Sequence, residues 1–140
     1  MKLNVKKLHK DAKLPNFAHH DDAGLDLFSV ENIKIQPGEI VRVSTGLAFE
    51  IPDGYAGLFW DKSGISHKKG LKVVGGVFDA GYRGEAKVGL INLSSEEQTF
   101  EIGDKVAQML IQKVEHPEIV EVEELSDSVR GSGELGSTGK

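Results

Sequence analysis

The stretch IVRVSTGLAFEIPDGYAGLFW, Ile40 to Trp60, decides the fold class. It holds three short apolar runs, Ile40–Ser44, Leu47–Ile51 and Gly57–Trp60, and Pro52-Asp53-Gly54 is a turn signal between the last two. None of them repeats apolar residues at i, i+3, i+4 and i+7 over a helix length. The same punctuation continues in both directions. Further strands are expected at Leu3–Leu8, Leu25–Phe28, Ile33–Ile35, Leu71–Val74, Ala86–Asn92, Thr99–Ile102, Val106–Val114 and Ile119–Val122. Turns are expected at Gln36–Glu39, Asp79–Gly81 and Ile102–Asp104. Only Gly64–Lys69 reads as a short helix. The pattern predicts an all-β protein, a sandwich, jelly roll or small barrel.

A chain of 140 residues is one domain's length. Its 17 glycines, mostly single between apolar runs, fit a turn-rich β protein rather than a linker. There is no cysteine, which excludes a disulfide framework, a thiolate nucleophile and a cysteine metal site, and suits a cytoplasmic location. No apolar run is long enough to span a membrane, and MKLNVKKLHK lacks the apolar core of a signal peptide. A net charge of −5 argues against general nucleic-acid binding. A polyanionic ligand would need local help from backbone N–H groups, a few cations or a metal ion. The division expected is a β domain over 1–125 and a flexible arm over 126–140.

Polar residues gather in five places. His19–Phe28 (HHDDAGLDLF) holds Asp21, Asp22 and Asp26 beside two histidines, but the spacing matches no standard metal-ligand set, and a solvated loop is the commoner use. Trp60–Gly70 (WDKSGISHKKG) puts Lys62, Ser63 and Gly64 where the helix opens. Helix N-termini take anions, although an ordinary Ser cap explains the serine as well. Val73–Glu85 (VVGGVFDAGYRGE) places Asp79 at a hairpin tip, as a general base or an ordinary turn aspartate. Asp104–Ile111 (DKVAQMLI) has Gln108 inside an apolar strand, a position that solvent exposure alone would explain. Arg130–Lys140 (RGSGELGSTGK) can curl glycine N–H groups around a phosphate with Ser137 and Thr138 as donors, or simply fray.

In this order, five segments resemble the five motifs of the trimeric dUTPases (deoxyuridine triphosphate nucleotidohydrolases): AGLDL at 23–27, KSGIS at 62–66, GVFDAGYRGE at 76–85, KVAQ at 105–108 and RGSGELGSTG at 130–139. The resemblance runs from about Leu3 to Gly139. It implies a distorted jelly roll (a β-clip) with one short helix, assembled as a homotrimer whose active sites lie between subunits and are closed by a neighbour's arm. The implied reaction is dUTP plus water giving dUMP and pyrophosphate. This limits uracil incorporation into DNA and supplies dUMP for dTMP synthesis.

The same resemblance supplies the roles. Asp79 would activate the attacking water and contact the 3′-hydroxyl. Tyr82 would lie against the deoxyribose and exclude a 2′-hydroxyl. Backbone from Val73 through Val77 and Phe78, with Lys87 on the facing strand, would read the uracil edge. Lys62, Ser63 and Gly64 would hold phosphates, and Gln108 would contact phosphates or the water shell of a metal ion. Mg²⁺ would be held by the phosphates and water, with Asp26 in its outer shell. Arg130, Gly136, Ser137 and Thr138 would grip the γ-phosphate, and Leu135 would cover the base.

Three residues depart from the family pattern. Val73 stands where some members carry an asparagine near the uracil-binding hairpin, which matters little where uracil is read by backbone. Lys62 stands where arginine is usual, which keeps the charge but loses the bidentate fork. Leu135 stands where phenylalanine is usual; it covers the base without stacking, where base–aromatic stacking is worth about 1–3 kcal/mol. Leu135→Phe is therefore expected to lower KM for dUTP, and steady-state kinetics of the two proteins checks it. The other readings are a dCTP deaminase, or its bifunctional deaminase–dUTPase form, and a non-catalytic module binding nucleotide or protein partners.

Overall fold

The structure is a computed structural model, and it describes residues 1–133. Ten antiparallel strands and one helix fold into two four-stranded sheets and a two-stranded ribbon. One sheet holds β1 (Asn4–Lys7), β4 (Ile40–Glu50), β8 (Glu85–Asn92) and β6 (Leu71–Val74), in the order β1-β4-β8-β6. The second holds β2 (Leu25–Phe28), β10 (Lys105–Lys113), β5 (Tyr55–Trp60) and β7 (Val77–Phe78), in the order β2-β10-β5-β7. The ribbon pairs β3 (Ile33–Ile35) with β9 (Gln98–Phe100). Helix α1 (Ser63–Lys69) connects β5 to β6. The inward residues of alternating strands, among them Leu27, Val43, Phe49, Phe59, Val88, Leu90, Phe100 and Met109, form one buried core. This is the all-β jelly-roll reading, with the expected single short helix.

Three expectations change. The runs Ile40–Ser44 and Leu47–Ile51 are one strand, β4, because a bulge rather than a turn separates them. The register on β8 shifts between Ser44 and Ala48. Gly46 sits there at φ +66, where a Cβ would also meet His9, Val30 and Ala12, so only glycine fits. The bulge's polar groups are bonded: Gly46 N–H to Glu85 Oε1, Ser44 N–H to Glu31 Oε1, and Thr45 Oγ1 to the Ala86 carbonyl. The helix begins one residue early, so Ser63 is its first residue and not its cap; Lys62 holds the cap position without a side-chain bond.

Ile119–Val122 forms no strand, and the last strand ends at Lys113. Ile119 and Leu125 are each 88% exposed, so this segment has strand composition but no partner edge. The packed sheets thus stop short of the expected boundary at residue 125. Among the described residues, no helix is long and apolar enough to cross a membrane.

Candidate functional site

Two separate groups of the expected residues come together, at opposite ends of β5. The first lies on the turn after β7. Asp79 is exposed there, and its carbonyl accepts the Tyr82 N–H at 3.1 Å, closing the turn. Phe78 is buried against Phe49 and Phe59, and the Tyr82 ring stands edge-on to it at 5.1 Å. A Cβ at Gly84 would overlap the Tyr82 ring, so the glycine after Arg83 is what lets this ring fold back over the backbone. Arg83 donates to the Ala80 and Tyr82 carbonyls, fixing the turn further. Val77, Phe78, Asp79, Tyr82 and Lys87 line one cleft of about 230 Å³ together with Arg42 and Glu85. It has an aromatic wall, a carboxylate at its lip and strand backbone on two sides. Val73, the remaining residue of this group, lies outside the cleft on β6.

The second group surrounds the start of α1. Ile65 and Ser66 N–H groups both bond the Lys62 carbonyl, whereas Ser63 and Gly64 precede any intrahelical acceptor. Lys62 itself turns inward and ion-pairs with Asp26 Oδ1. Asp26 is 1% exposed and pairs in register with Gln108. Lys105 Nζ, which the sequence reading did not single out, stands 2.6 Å from Asp26 Oδ2. Burial pushes the Asp26 carboxyl up, but the contacts and positive charge of Lys105 and Lys62 outweigh it and hold it below its ordinary 3.8. Gln108 Nε2 donates to the Asp61 carbonyl at 2.8 Å. Its Oε1 occupies the space where a Cβ of Gly24 would be, only 2.5 Å from that position. Gly24 is thus the reason the AGLDL segment can lie beside the glutamine.

The lowered Asp26 carboxyl has a stability consequence. A carboxyl whose folded pKa is depressed stabilises the fold above its unfolded value and loses that contribution as pH falls through the folded one. Asp26→Asn leaves two ammonium groups facing no anion. Removing one partner of a buried pair costs about 3–5 kcal/mol, and the partly exposed lysines reduce that to about 1–3 kcal/mol here. Thermal melts should show a lower Tm for Asp26→Asn at neutral pH, with the gap to the parent narrowing as pH drops below 3.8.

As a metal ligand, Asp26 is limited by the same lysines. Among the described residues, no three His, Cys, Asp or Glu side chains come together as a group that could hold an ion, at His19–Asp22 or elsewhere. Both Asp26 oxygens are buried and face lysine ammonium groups, Oδ1 that of Lys62 and Oδ2 that of Lys105.

Arg130 lies in a small turn, donating from Nε to the Gly133 carbonyl at 3.1 Å, with Gly131 at φ +52. Leu135, Gly136, Ser137 and Thr138 lie outside the described residues.

Gly57 pairs with Phe78 near one end of β5, and Trp60 lies three residues on, roughly 10 Å along the strand. Lys62 follows beyond Trp60. One chain therefore does not bring Asp79 to the α1 group. An antiparallel jelly roll with an acidic turn over an aromatic cleft, and a Lys-Ser-Gly loop beside a buried aspartate, defines a β protein equipped for a phosphorylated aromatic ligand.

The comparisons with known proteins narrow this class. The dUTPase family model matches residues 10–139. The chain is 49% identical to the deoxyuridine 5′-triphosphate nucleotidohydrolase of Hydrogenobaculum sp., covering 99% of both chains. It is 46% identical to that of Thermobifida fusca, over 99% of this chain and 79% of the relative. Among solved structures, a Staphylococcus bacteriophage 80alpha dUTPase mutant with dUpNHpp superposes with a TM-score of 0.91 at 33% identity over 99% of both chains. A phage phi11 dUTPase mutant, described with a structural Mg(II) ion, gives 0.85 at 30% identity, over 91% of this chain and all of that one. The chain belongs to the dUTPase family.

Proposed function

We propose that the protein hydrolyses dUTP to dUMP and pyrophosphate, with Asp79 as general base. The observation that carries this is the cleft itself: an exposed carboxylate on a pinned turn, at the mouth of a cavity walled by Phe78 and Tyr82. Asp79 takes a proton from water as the water oxygen bonds to the α-phosphorus. The bond from that phosphorus to the bridging oxygen breaks, and pyrophosphate leaves. Tyr82, held against Phe78, packs on the deoxyribose and leaves no room for a 2′-hydroxyl. Backbone groups of 73–78 and of Lys87 read the uracil edge. Cytosine reverses the exocyclic donor and acceptor and would leave buried groups unpaired.

Lys62, Ser63 and Gly64 receive the phosphates, and catalysis is then positioning plus charge stabilisation. Mg²⁺ bound with the triphosphate would supply neutralisation of phosphate charge. Asp26 and Gln108 pair in register across β2 and β10 beside the phosphate loop, Asp26 suiting the ion's outer water shell; Gln108 uses one Nε2 hydrogen on the Asp61 carbonyl and keeps a second for a phosphate or a metal-bound water.

The separation of Asp79 from the α1 group supports a homotrimer, in which the two halves belong to different sites. The exposed segment after Lys113 supports it too. Glu115, Glu118, Glu121, Glu123 and Glu124 alternate loosely with Ile119, Val120, Val122 and Leu125, and β1, a sheet edge, lies among Lys2, Lys6, Lys7 and Lys10. A neighbour's acidic segment along that basic edge would pair the backbone and bury the apolar side chains. Residues 126–140 then act as the arm, delivering Arg130, Leu135, Gly136, Ser137 and Thr138 to a site. A cytoplasmic location follows from the free nucleotide substrate.

Pyrophosphate and ammonia release, measured with dUTP, dCTP, dTTP and UTP in Mg²⁺ and in EDTA, tests the reading. Selective, Mg²⁺-dependent pyrophosphate release from dUTP is expected. Ammonia from dCTP would make the protein a deaminase relative, and no turnover of any nucleotide would leave a binding module.

A further inference from the structure

One acidic side chain of the Trp60–Gly70 segment, not yet given a role, sits next to the phosphate loop and bonds another part of the proposed site. Asp61 lies between Trp60 and Lys62, with its side chain 20% exposed. Its Oδ1 accepts the Val73 N–H at 2.6 Å, and its Oδ2 pairs with Lys72 Nζ at 2.5 Å. Its carbonyl accepts Gln108 Nε2. Because β6 is an edge strand, with β8 its only partner in the sheet, the Val73 N–H held by Asp61 is one that no neighbouring strand takes.

We propose that Asp61 is a positioning residue for nucleotide binding, tying the phosphate loop 62–64 to the strand that begins the base-reading backbone. This rests on the proposed dUTP site and deepens it. The physical basis is the attachment of two loops that belong to different sheets. β5 runs in one sheet and β6 in the other, and α1 between them has no fully buried residue, only the partly buried Ile65 packed on the core. The Asp61 carboxylate is a short, charge-assisted link across that gap, next to Lys62 in sequence and on Val73 in space. A second link, the Phe59 N–H to the Gly76 carbonyl at 2.7 Å, holds the far end of the same hairpin. Neither the spacing nor the residue type revealed this: an aspartate before a lysine reads as solvated until β6 is folded against it.

Asp61 does not touch reacting atoms, so its loss should weaken ground-state and transition-state binding alike. Asp61→Ala should raise KM for dUTP about tenfold while changing kcat less than about threefold. Asp61→Asn keeps an acceptor for Val73 and should restore KM to within about twofold of the parent. Amide exchange at Val73 should speed up in Asp61→Ala and not in Asp61→Asn. Asp61→Glu, which keeps the charge but lengthens the link, should raise KM at least threefold and serves if the alanine variant does not fold. An Asp61→Ala or Asp61→Glu KM within twofold of the parent overturns the proposal, and so does an equal rise in the alanine and asparagine variants. A parent that fails to hydrolyse dUTP overturns the proposed function instead, and Val73 exchange still reports whether Asp61 holds the strand.

Discussion

Asp79→Asn should abolish dUTP turnover, lowering kcat by about 10²–10⁴-fold, the range general-base catalysis contributes. The amide is nearly isosteric and can still hydrogen-bond, but it cannot accept the proton that water releases. The turn does not depend on the carboxylate, since its closing bond runs from the Tyr82 N–H to the Asp79 carbonyl and Arg83 holds the Ala80 and Tyr82 carbonyls. Asp79 is exposed, so its substitution leaves no buried unsatisfied group. Binding of a non-hydrolysable dUTP analogue should therefore stay within a few-fold of the parent, measured by calorimetry. Near-parent kcat would remove Asp79 from the role of base.

Truncation after Ser128 should give the second largest loss, about 10²–10³-fold in kcat/KM, with the assembly intact. The segment removed carries Arg130, and charge-assisted contacts to a transferring phosphate are worth several kcal/mol where water is excluded. The core should not notice: among the described residues every strand lies before residue 114, and Val129 is fully exposed. Sedimentation of the truncated protein should return the same mass class and a similar Tm. A collapse to monomer would assign the tail a structural role. A further cut at Lys113 should disperse the proposed trimer, because it removes the acidic segment proposed to lie on the neighbour's β1.

Much of this was legible from short-range chemistry. Alternating apolar residues located β2, β3 and β6 to the residue, because a strand's inward positions must be apolar whatever it pairs with. Glycines at positive φ marked the turns at Gly38, Gly54 and Gly103. The order of the five segments was written in the chain, as were the chemical types they carry.

What escaped depended on partners distant in sequence. A two-residue strand such as β7 has no periodicity to read. The two runs of β4 read as separate strands because the apolar alternation breaks at Ser-Thr-Gly; Glu31 and Glu85, distant in sequence, bond the bulge that joins them. Ile119–Val122 has strand composition, but composition cannot provide an edge to pair with, and within one chain it pairs with none. Asp26 fell within an expected strand, but nothing local showed that folding would bury it between Lys62 and Lys105, which lowers its proton affinity. The sequence alone determined that this is an antiparallel β protein with a dUTPase's residues in order. Tertiary structure decided that one chain keeps Asp79 and the phosphate loop apart, because antiparallel pairing of β7 on β5 sends them toward opposite ends of the same strand.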